Sequence, residues 1–538
     1  MRRARTASLG LCFLACSAGT AAARSAVSAG RIAGPSDTAV RVRQGTLTLP
    51  TYEEGLPDVN PRFDLFARRP FLIYPYTART NLTDRRSSRA WRTLELENEH
   101  LKLVVLPDLG GRIYSCADKA TGAEMFYANP SIKYADVAYR GAWVALGVEF
   151  NFPVSHNWAT VSPVDFGTAR HRDGSASVWV GTIDRPYGMQ WRVELRLRPG
   201  RSLLEQTTTL YNRSDVRHRF YWWTTASVRA FGDSHILYPM EFSASHHFAD
   251  VDTWPVDSTG ADLSRPRNHL AGFVSRFVHG SREPFMGVYH PATESGVVHV
   301  ADHHDMPGKK IWSWGADDEG RDWRRALSDD ESAYLEVQAG LFRNQETYAF
   351  LEPQQLLRFR ETYQPVRRIG GYSRANDEGV VHVRRGEGGA LRVGLNVTGA
   401  VRGGRLVVRD GASTVREEAL NLDPSGAFDR TFADLAGAGP YAVEVRDGSD
   451  RLLLTHTEGR YDLLPKAEVR TGPQAAHVFP PPARRSEGDW VELGRHQELN
   501  GKLLEAHDAY AAALAAFPDS PELLRAAGRL AVQLKRFG

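Results

Sequence analysis

The sequence predicts a mainly β chain: a large antiparallel body, a smaller β unit behind it and a short helical tail. Three observations carry that prediction. Short runs with apolar alternation, punctuated by Gly, Asp and Asn turns, recur as far as about Tyr372. The same pattern continues in shorter form from about Gly379 to Leu464. From Trp490 onward small and apolar residues adopt a helical period. At 538 residues the chain is too long for one core, and roughly two to four domains are expected.

Composition narrows the function classes. Hydrophobic residues at 42% and charged ones at 24% are ordinary for a globular protein. Lys and Arg number 67 against 64 Asp and Glu, for a net charge of +3. That balance, without a dense basic block, argues against a nucleic-acid partner. The 12 Trp, 19 Tyr and 23 Phe suit the apolar faces of sugar rings, although a large β core also holds many aromatics.

Residues 1–23 read as a signal peptide, and the protein is expected to be exported to the periplasm or beyond the cell. Arg2, Arg3 and Arg5 open a mostly apolar run from Ala7 to Ala18, and Ala21-Ala22-Ala23 supplies the cleavage site. That run is too short to span a bilayer, and no transmembrane helix is expected later. A lipid anchor at Cys16 fits poorly with the preceding Phe13-Leu14-Ala15. Cys12 and Cys16 fall within the signal, leaving Cys116 alone, so no internal disulfide and no Cys metal site are expected.

Residues 38–375 form the large β body. Leu101–Leu106 and Arg112–Cys116 flank Pro107-Asp-Leu-Gly-Gly111 as a hairpin. Ser177–Val180 follows the Asp173-Gly174 turn, and Trp191–Leu197 alternates strictly, as a half-buried strand should. Leu203–Tyr211, Arg219–Ala226, Gly296–Val300, Tyr334–Ala339 and Leu356–Tyr363 continue the series. Residues 379–464, with turns at Asp410-Gly411 and Asp447-Gly448, suit an immunoglobulin-like β-sandwich. Residues 471–488, containing Pro480-Pro481-Pro482, read as a semi-rigid linker. In 489–538, Trp490, Leu493, Gly494, Ala506, Tyr510, Ala513 and Pro518 match the tetratricopeptide pattern, with Gln497 where Tyr is usual. A second repeat opens near Pro521, and its second helix does not fit before Gly538. One and a half repeats bury their own faces poorly, so the segment is expected either to continue a longer array or to dock on the preceding domains.

Leu106-Pro-Asp-Leu-Gly-Gly-Arg-Ile-Tyr-Ser115, followed by Asp118-Lys-Ala-Thr-Gly-Ala-Glu124, resembles the opening of galactose-mutarotase-like domains. Longer stretches resemble one uncharacterised family of that superfamily, found ahead of tetratricopeptide arrays. They include Arg69–Tyr76, Arg140–Trp143, Gly147–Pro153, Pro307–Gly315 and Glu336–Gly340, and the likeness covers roughly 60–375. The resemblance implies an antiparallel supersandwich with a sugar-binding concave face, in a superfamily of aldose epimerases, domains of glycoside hydrolases and polysaccharide lyases, and pure binding domains.

Sugar chemistry of this kind needs a proton donor and a base across a sugar-sized gap. Strand alternation in Gly147–Phe152 puts Glu149 and Asn151 on one face, with His156 five residues on. In Tyr334–Ala339, Glu336 and Gln338 share a face, and mutarotase-type enzymes hold their base on a late strand. Glu149 and Glu336 are therefore the expected acid and base, assisted by His156 or His303. The pairing requires the two carboxylates within about 12 Å. The competing reading leaves both carboxylates on solvated surface strands. Lys310, Trp312 and Trp314 share a face, so the two Trp could stack successive sugar rings while Lys310 binds an acidic or hydroxyl group. Arg140 and Trp143 complete the expected binding set. His246-His247 and His303-His304 point oppositely within each pair, so no metal is expected. The chain has no phosphate loop, dinucleotide fingerprint or G-x-S-x-G elbow, and no cofactor is expected. The leading expectation is an exported carbohydrate-active enzyme, epimerase-like or glycoside-cleaving. The alternative is a non-catalytic sugar-binding or assembly module that takes a protein partner through its repeats.

Overall fold

The alternating segments pair antiparallel into two large sheets. A computed structural model describes residues 39–58, 75–246, 251–345, 347–435, 437–469 and 479–537. The expected signal peptide, His247 and residues 471–478 of the expected linker lie outside them.

The larger sheet has 11 strands. Its order runs Arg41–Glu54, Leu82–Glu97, Leu101–Leu106, Arg112–Asp118, Val148–Asn151, Trp223–Ala230, Ala333–Gly340, Gly308–Ser313, Val274–His279, Phe242–Ala244 and Val251–Thr253. The second sheet has 8 strands, with Leu356–Arg367 and Leu204–Asn212 at its centre. Alternation drives their packing. In Met189–Leu197 of the second sheet, Met189, Trp191, Val193, Leu195 and Leu197 are buried, and the residues between them are partly or fully exposed. They meet Leu94, Leu96, Leu103, Val105, Ile113, Val148 and Phe150 of the larger sheet in one continuous core. Each such side chain contributes roughly 1.5–3 kcal/mol on burial.

The central strands of the larger sheet are buried on both faces. Every residue of Val148–Asn151 is buried, as is nearly all of Ala333–Gly340. The face turned away from the second sheet is roofed in part by Tyr127, Ala135, Trp143, Ala145 and Leu327, which cluster over Tyr334. This corrects the alternative of solvated strands, because sequence alternation cannot register a roof supplied by distant segments.

Asp318–Leu327 is an α-helix rather than more strand and turn. Asp317 caps it by accepting from the Gly320 amide. Asp318 and Glu319 fall in the first turn and Arg324 and Arg325 in the last, in keeping with the helix dipole.

Beyond the large body, two four-stranded sheets enclose a separate core that includes Val393, Leu395, Leu406, Val408, Val443 and Val445. The first of these sheets begins at Arg374–Asn376, ahead of the expected boundary at 379. Three helices follow, Glu487–Leu499, Leu503–Ala516 and Pro521–Gln533. Ser486 and Asp489 form a capping box at the first. Gly494 lets the first two pack closely, since a Cβ there would stand 2.1 Å from the Tyr510 ring. None of the described helices is long and apolar enough to cross a membrane.

Candidate functional site

Strand register brings the site together. Thr225 lies opposite both Glu149 and Gln338, and Gln338 lies opposite Lys310. One row of side chains, Glu149, Thr225, Gln338 and Lys310, therefore crosses four strands on one face. Glu336 pairs with Trp312 in a neighbouring row. Cross-strand partners project to the same side of a sheet, so four segments far apart in sequence converge.

Above these rows is a cavity of about 430 Å³, large enough for a small ligand. Trp143, His156, Lys310, Trp312, Trp314, Glu336 and Gln338, all predicted from sequence, line it. Tyr139, Thr225 and His246 also line it, with Phe273, Glu319, Trp323, Gln345 and Tyr348. Sequence reading missed most of these because they arrive on loops and on the unpredicted helix. The signal available for that helix was Asp317 followed by an acidic first turn and a basic last turn.

Glu149 does not line the cavity and corrects the expected acid–base pair. It is 1% exposed and sealed behind His156. Its carboxylate accepts from Trp143 Nε1 at 3.1 Å and from the Thr160 hydroxyl, and pairs with Arg112 at 3.1 Å. His156 Nδ1 lies 2.7 Å from Glu149 Oε2. Burial alone would raise the Glu149 carboxyl, but Arg112, His156 and Thr160 outweigh it and hold the group at about 2. A carboxylate this firmly ionised is a poor proton donor. It fixes the His156 ring through Nδ1 and leaves Nε2 for the cavity. Glu149 and Glu336 stand two strands apart, about 10 Å laterally, and only Glu336 faces the ligand space.

Glu336 is fully buried, and burial raises its carboxyl, opposed by Lys310 and by the Tyr334 hydroxyl. Tyr334 donates to Oε1 at 2.6 Å, and Gln338 Nε2 donates to Oε2. Gln345 donates to Gln338 Oε1 at 3.1 Å, and Lys310 Nζ donates to Gln345 Oε1 at 2.8 Å. A chain of amides thus links the ammonium to the carboxylate. Burial also pulls Lys310 down to about 7, against the opposing pull of Glu336.

The two Trp do not form one flat platform. Their rings stand at 86° with centroids 5.4 Å apart, and Trp314 lies just beyond the end of the strand Gly308–Ser313. Trp312 stacks on Phe273 at 4.9 Å, and Trp314 stacks on Trp323 at 3.9 Å. Each presents an edge or one remaining face, forming a corner rather than a ledge.

Three further predicted residues are outside the cavity. Arg140 donates to the Thr77 and Trp158 carbonyls at 2.9 and 2.7 Å, fastening two loops together, and lines separate hollows. Asn151 is 1% exposed; it donates to Thr225 at 3.2 Å and accepts from the Asn157 amide, which supports the loop carrying His156. His303 lies in the turn after Ala301, away from the cavity, and burial beside Lys309 lowers it to about 4. Among the described residues no group of three His, Cys, Asp or Glu is placed to hold a metal ion.

Comparison with known proteins sets the chain among relatives. It is similar to a TPR-domain containing protein from Parabacteroides distasonis ATCC 8503, at 26% identity and a TM-score of 0.56, over 61% of this chain and 56% of that one. The chain thus spans little more than half of that protein. It is also similar to a galactose mutarotase-like protein from Lactobacillus casei ATCC 334, at 12% identity and a TM-score of 0.38, over 51% of this chain and 99% of that one. A galactose mutarotase-like protein from Clostridium acetobutylicum matches at 9% identity and a TM-score of 0.37, over 52% of this chain and 96% of that one. Residues 374–456 match the model described as YphG-like protein, second domain. A second family model runs over residues 69–361, more than half of the chain, and the chain therefore belongs to the family described as Domain of unknown function (DUF5107).

Proposed function

We propose that this protein acts on an aldose by acid–base catalysis at the anomeric centre, with His156 and Glu336 as the proton-transferring pair. The observation that carries this reading is that both line one cavity, while Glu149 is sealed behind His156 and oriented to hold it. Glycoside cleavage by Glu149 and Glu336 loses support, because both carboxyl groups would have to face the sugar. Epimerisation needs only one carboxylate and a second proton carrier. Glu336 takes the proton from the anomeric hydroxyl, and His156 gives one to the ring oxygen. The C1–O5 bond breaks, the open-chain aldehyde turns about C1–C2, and the ring closes with the proton transfers reversed.

The test is anomer exchange by NMR on the full chain with a panel of neutral and acidic aldoses. His156→Ala and Glu336→Gln are each expected to slow exchange by about 10²–10⁴-fold. Exchange at the wild-type rate in both variants would overturn the assignment. Saturable binding with no exchange in the wild-type chain would move the protein to the binding class.

A further inference from the structure

The cavity holds a buried cation, Lys310, that makes no ion pair among the described residues. Lys310 is 2% exposed, and its ammonium reaches Gln345, an uncharged amide, at 2.8 Å. Nζ also lies 4.7 Å from the Trp312 ring centroid and 5.2 Å from that of Phe277. Among the described residues no carboxylate lies within ion-pair distance of it. Glu336 is diagonal to it across the strand pair, with Gln338 between, and both Glu336 oxygens already accept hydrogen bonds from Tyr334 and Gln338.

Burying a charge without a partner costs several kcal/mol, and cation–π contacts return only part of that. Lysine stems usually carry their ammonium out to water, but this one is held at the cavity wall. An anionic group on the ligand would complete the site. Among the described residues lining the cavity, Lys310 is the only Lys or Arg. One ammonium balances one carboxylate; a phosphate dianion would call for a second cation.

Resting on the aldose reading above, we infer that the ligand is an acidic sugar, a hexuronic acid whose carboxylate pairs with Lys310 while its anomeric end lies between His156 and Glu336. The aromatic corner of Trp312 and Trp314 would then contact the ring itself.

Titration calorimetry on the full chain tests this with D-glucuronate and D-galacturonate, their neutral parents glucose and galactose, and glucose 6-phosphate. A hydrogen bond to a charged group predicts that at least one uronate binds about tenfold or more tighter than its parent. Lys310→Gln and Lys310→Met should each erase that gap, since neither can pair with the carboxylate. Equal binding of uronates and parents, or a gap that survives both substitutions, would overturn the inference. Tightest binding of the phosphate would overturn the carboxylate assignment. If neutral sugars bind and uronates do not, the inference falls and the aldose reading stands. If no sugar binds, the aldose reading falls with it.

Discussion

At the residue scale, Glu149 and Lys310 show opposite consequences of burial. Glu149 is buried with Arg112 and His156, and its folded value of about 2 lies below its ordinary 4.5. The unfolded chain therefore takes up the proton first. The stabilisation is complete above about pH 4.5 and is lost as pH falls toward 2. At about 1.4 kcal/mol per unit, it amounts to about 3 kcal/mol, and acid titration of unfolding should show it. Glu149→Gln should flatten that part of the profile. It should also cost about 3–5 kcal/mol at neutral pH, because Arg112 is left buried without its counter-charge. Lys310 behaves in the reverse sense. Its folded value of about 7 lies below the ordinary 10.5, so the native state bears the cost of a buried charge most fully below pH 7. Lys310→Met is expected to stabilise the unliganded protein by roughly 1–4 kcal/mol. Thermal unfolding should show the gain at pH 6 and a smaller one at pH 9. A variant that is more stable yet poorer in binding would mark Lys310 as kept for ligand rather than for folding.

At the scale of elements, strand register does most of the positioning. Once Glu149, Thr225, Gln338 and Lys310 are placed opposite one another, the row follows from the pleat. A one-residue slip in any of these strands would turn its contribution into the core. The helix Asp318–Leu327 supplies the other wall through Trp323, stacked on Trp314 at 3.9 Å. Trp323→Ala should leave the helix formed, since its Asp317 cap is untouched, and should cost about 0.5–1.5 kcal/mol for the lost stacking beyond the buried area. A weakened ligand affinity with unchanged far-UV circular dichroism is the expected pair of results. The facing of Glu336, Gln338, Lys310 and Trp312 was legible from alternation alone. Which other residues meet them was not, because Phe273, Gln345 and Tyr348 come from loops whose course no periodicity describes.

At the scale of the whole molecule, buried arginines tie the parts together. Arg367, at the end of a central strand of the second sheet, is 2% exposed and pairs with Asp118 at 2.8 Å. It also donates to the Pro424 carbonyl of the smaller β unit. Asp118 belongs to the Asp-Lys-Ala-Thr-Gly-Ala-Glu hairpin, so that motif has a structural duty here. Arg217 pairs with Glu498 of the first tail helix, and both are buried. Tyr510 donates to the same carboxylate at 2.8 Å. The first tail helix therefore packs against the large body. Arg217→Ala strands a buried carboxylate and should cost about 3–5 kcal/mol at this contact. Hydrogen exchange should show faster opening of the helices between Glu487 and Gln533, with the sheets unaffected. The contact also lies near the cavity. Arg219 donates to the Leu499 carbonyl at 3.0 Å and lies over the Tyr348 ring, which lines the ligand space.

The sequence by itself determined the class of the fold, the alternation of its strands and the helical tail, because these depend on local period and turn chemistry. It also determined that Glu336 shares a face with Gln338, and Lys310 with Trp312, since neighbours within a strand obey the pleat; that the two strands turn those faces the same way came from their register. Tertiary structure decided which groups meet. It sealed Glu149 behind His156, kept Arg140 and His303 out of the cavity, and set Trp312 perpendicular to Trp314. The physical reason is that a strand's pattern states which side a residue takes but not what covers that side. Coverage comes from segments tens to hundreds of residues away, and it separates an ionised, hydrogen-bonded carboxylate from one that faces a ligand.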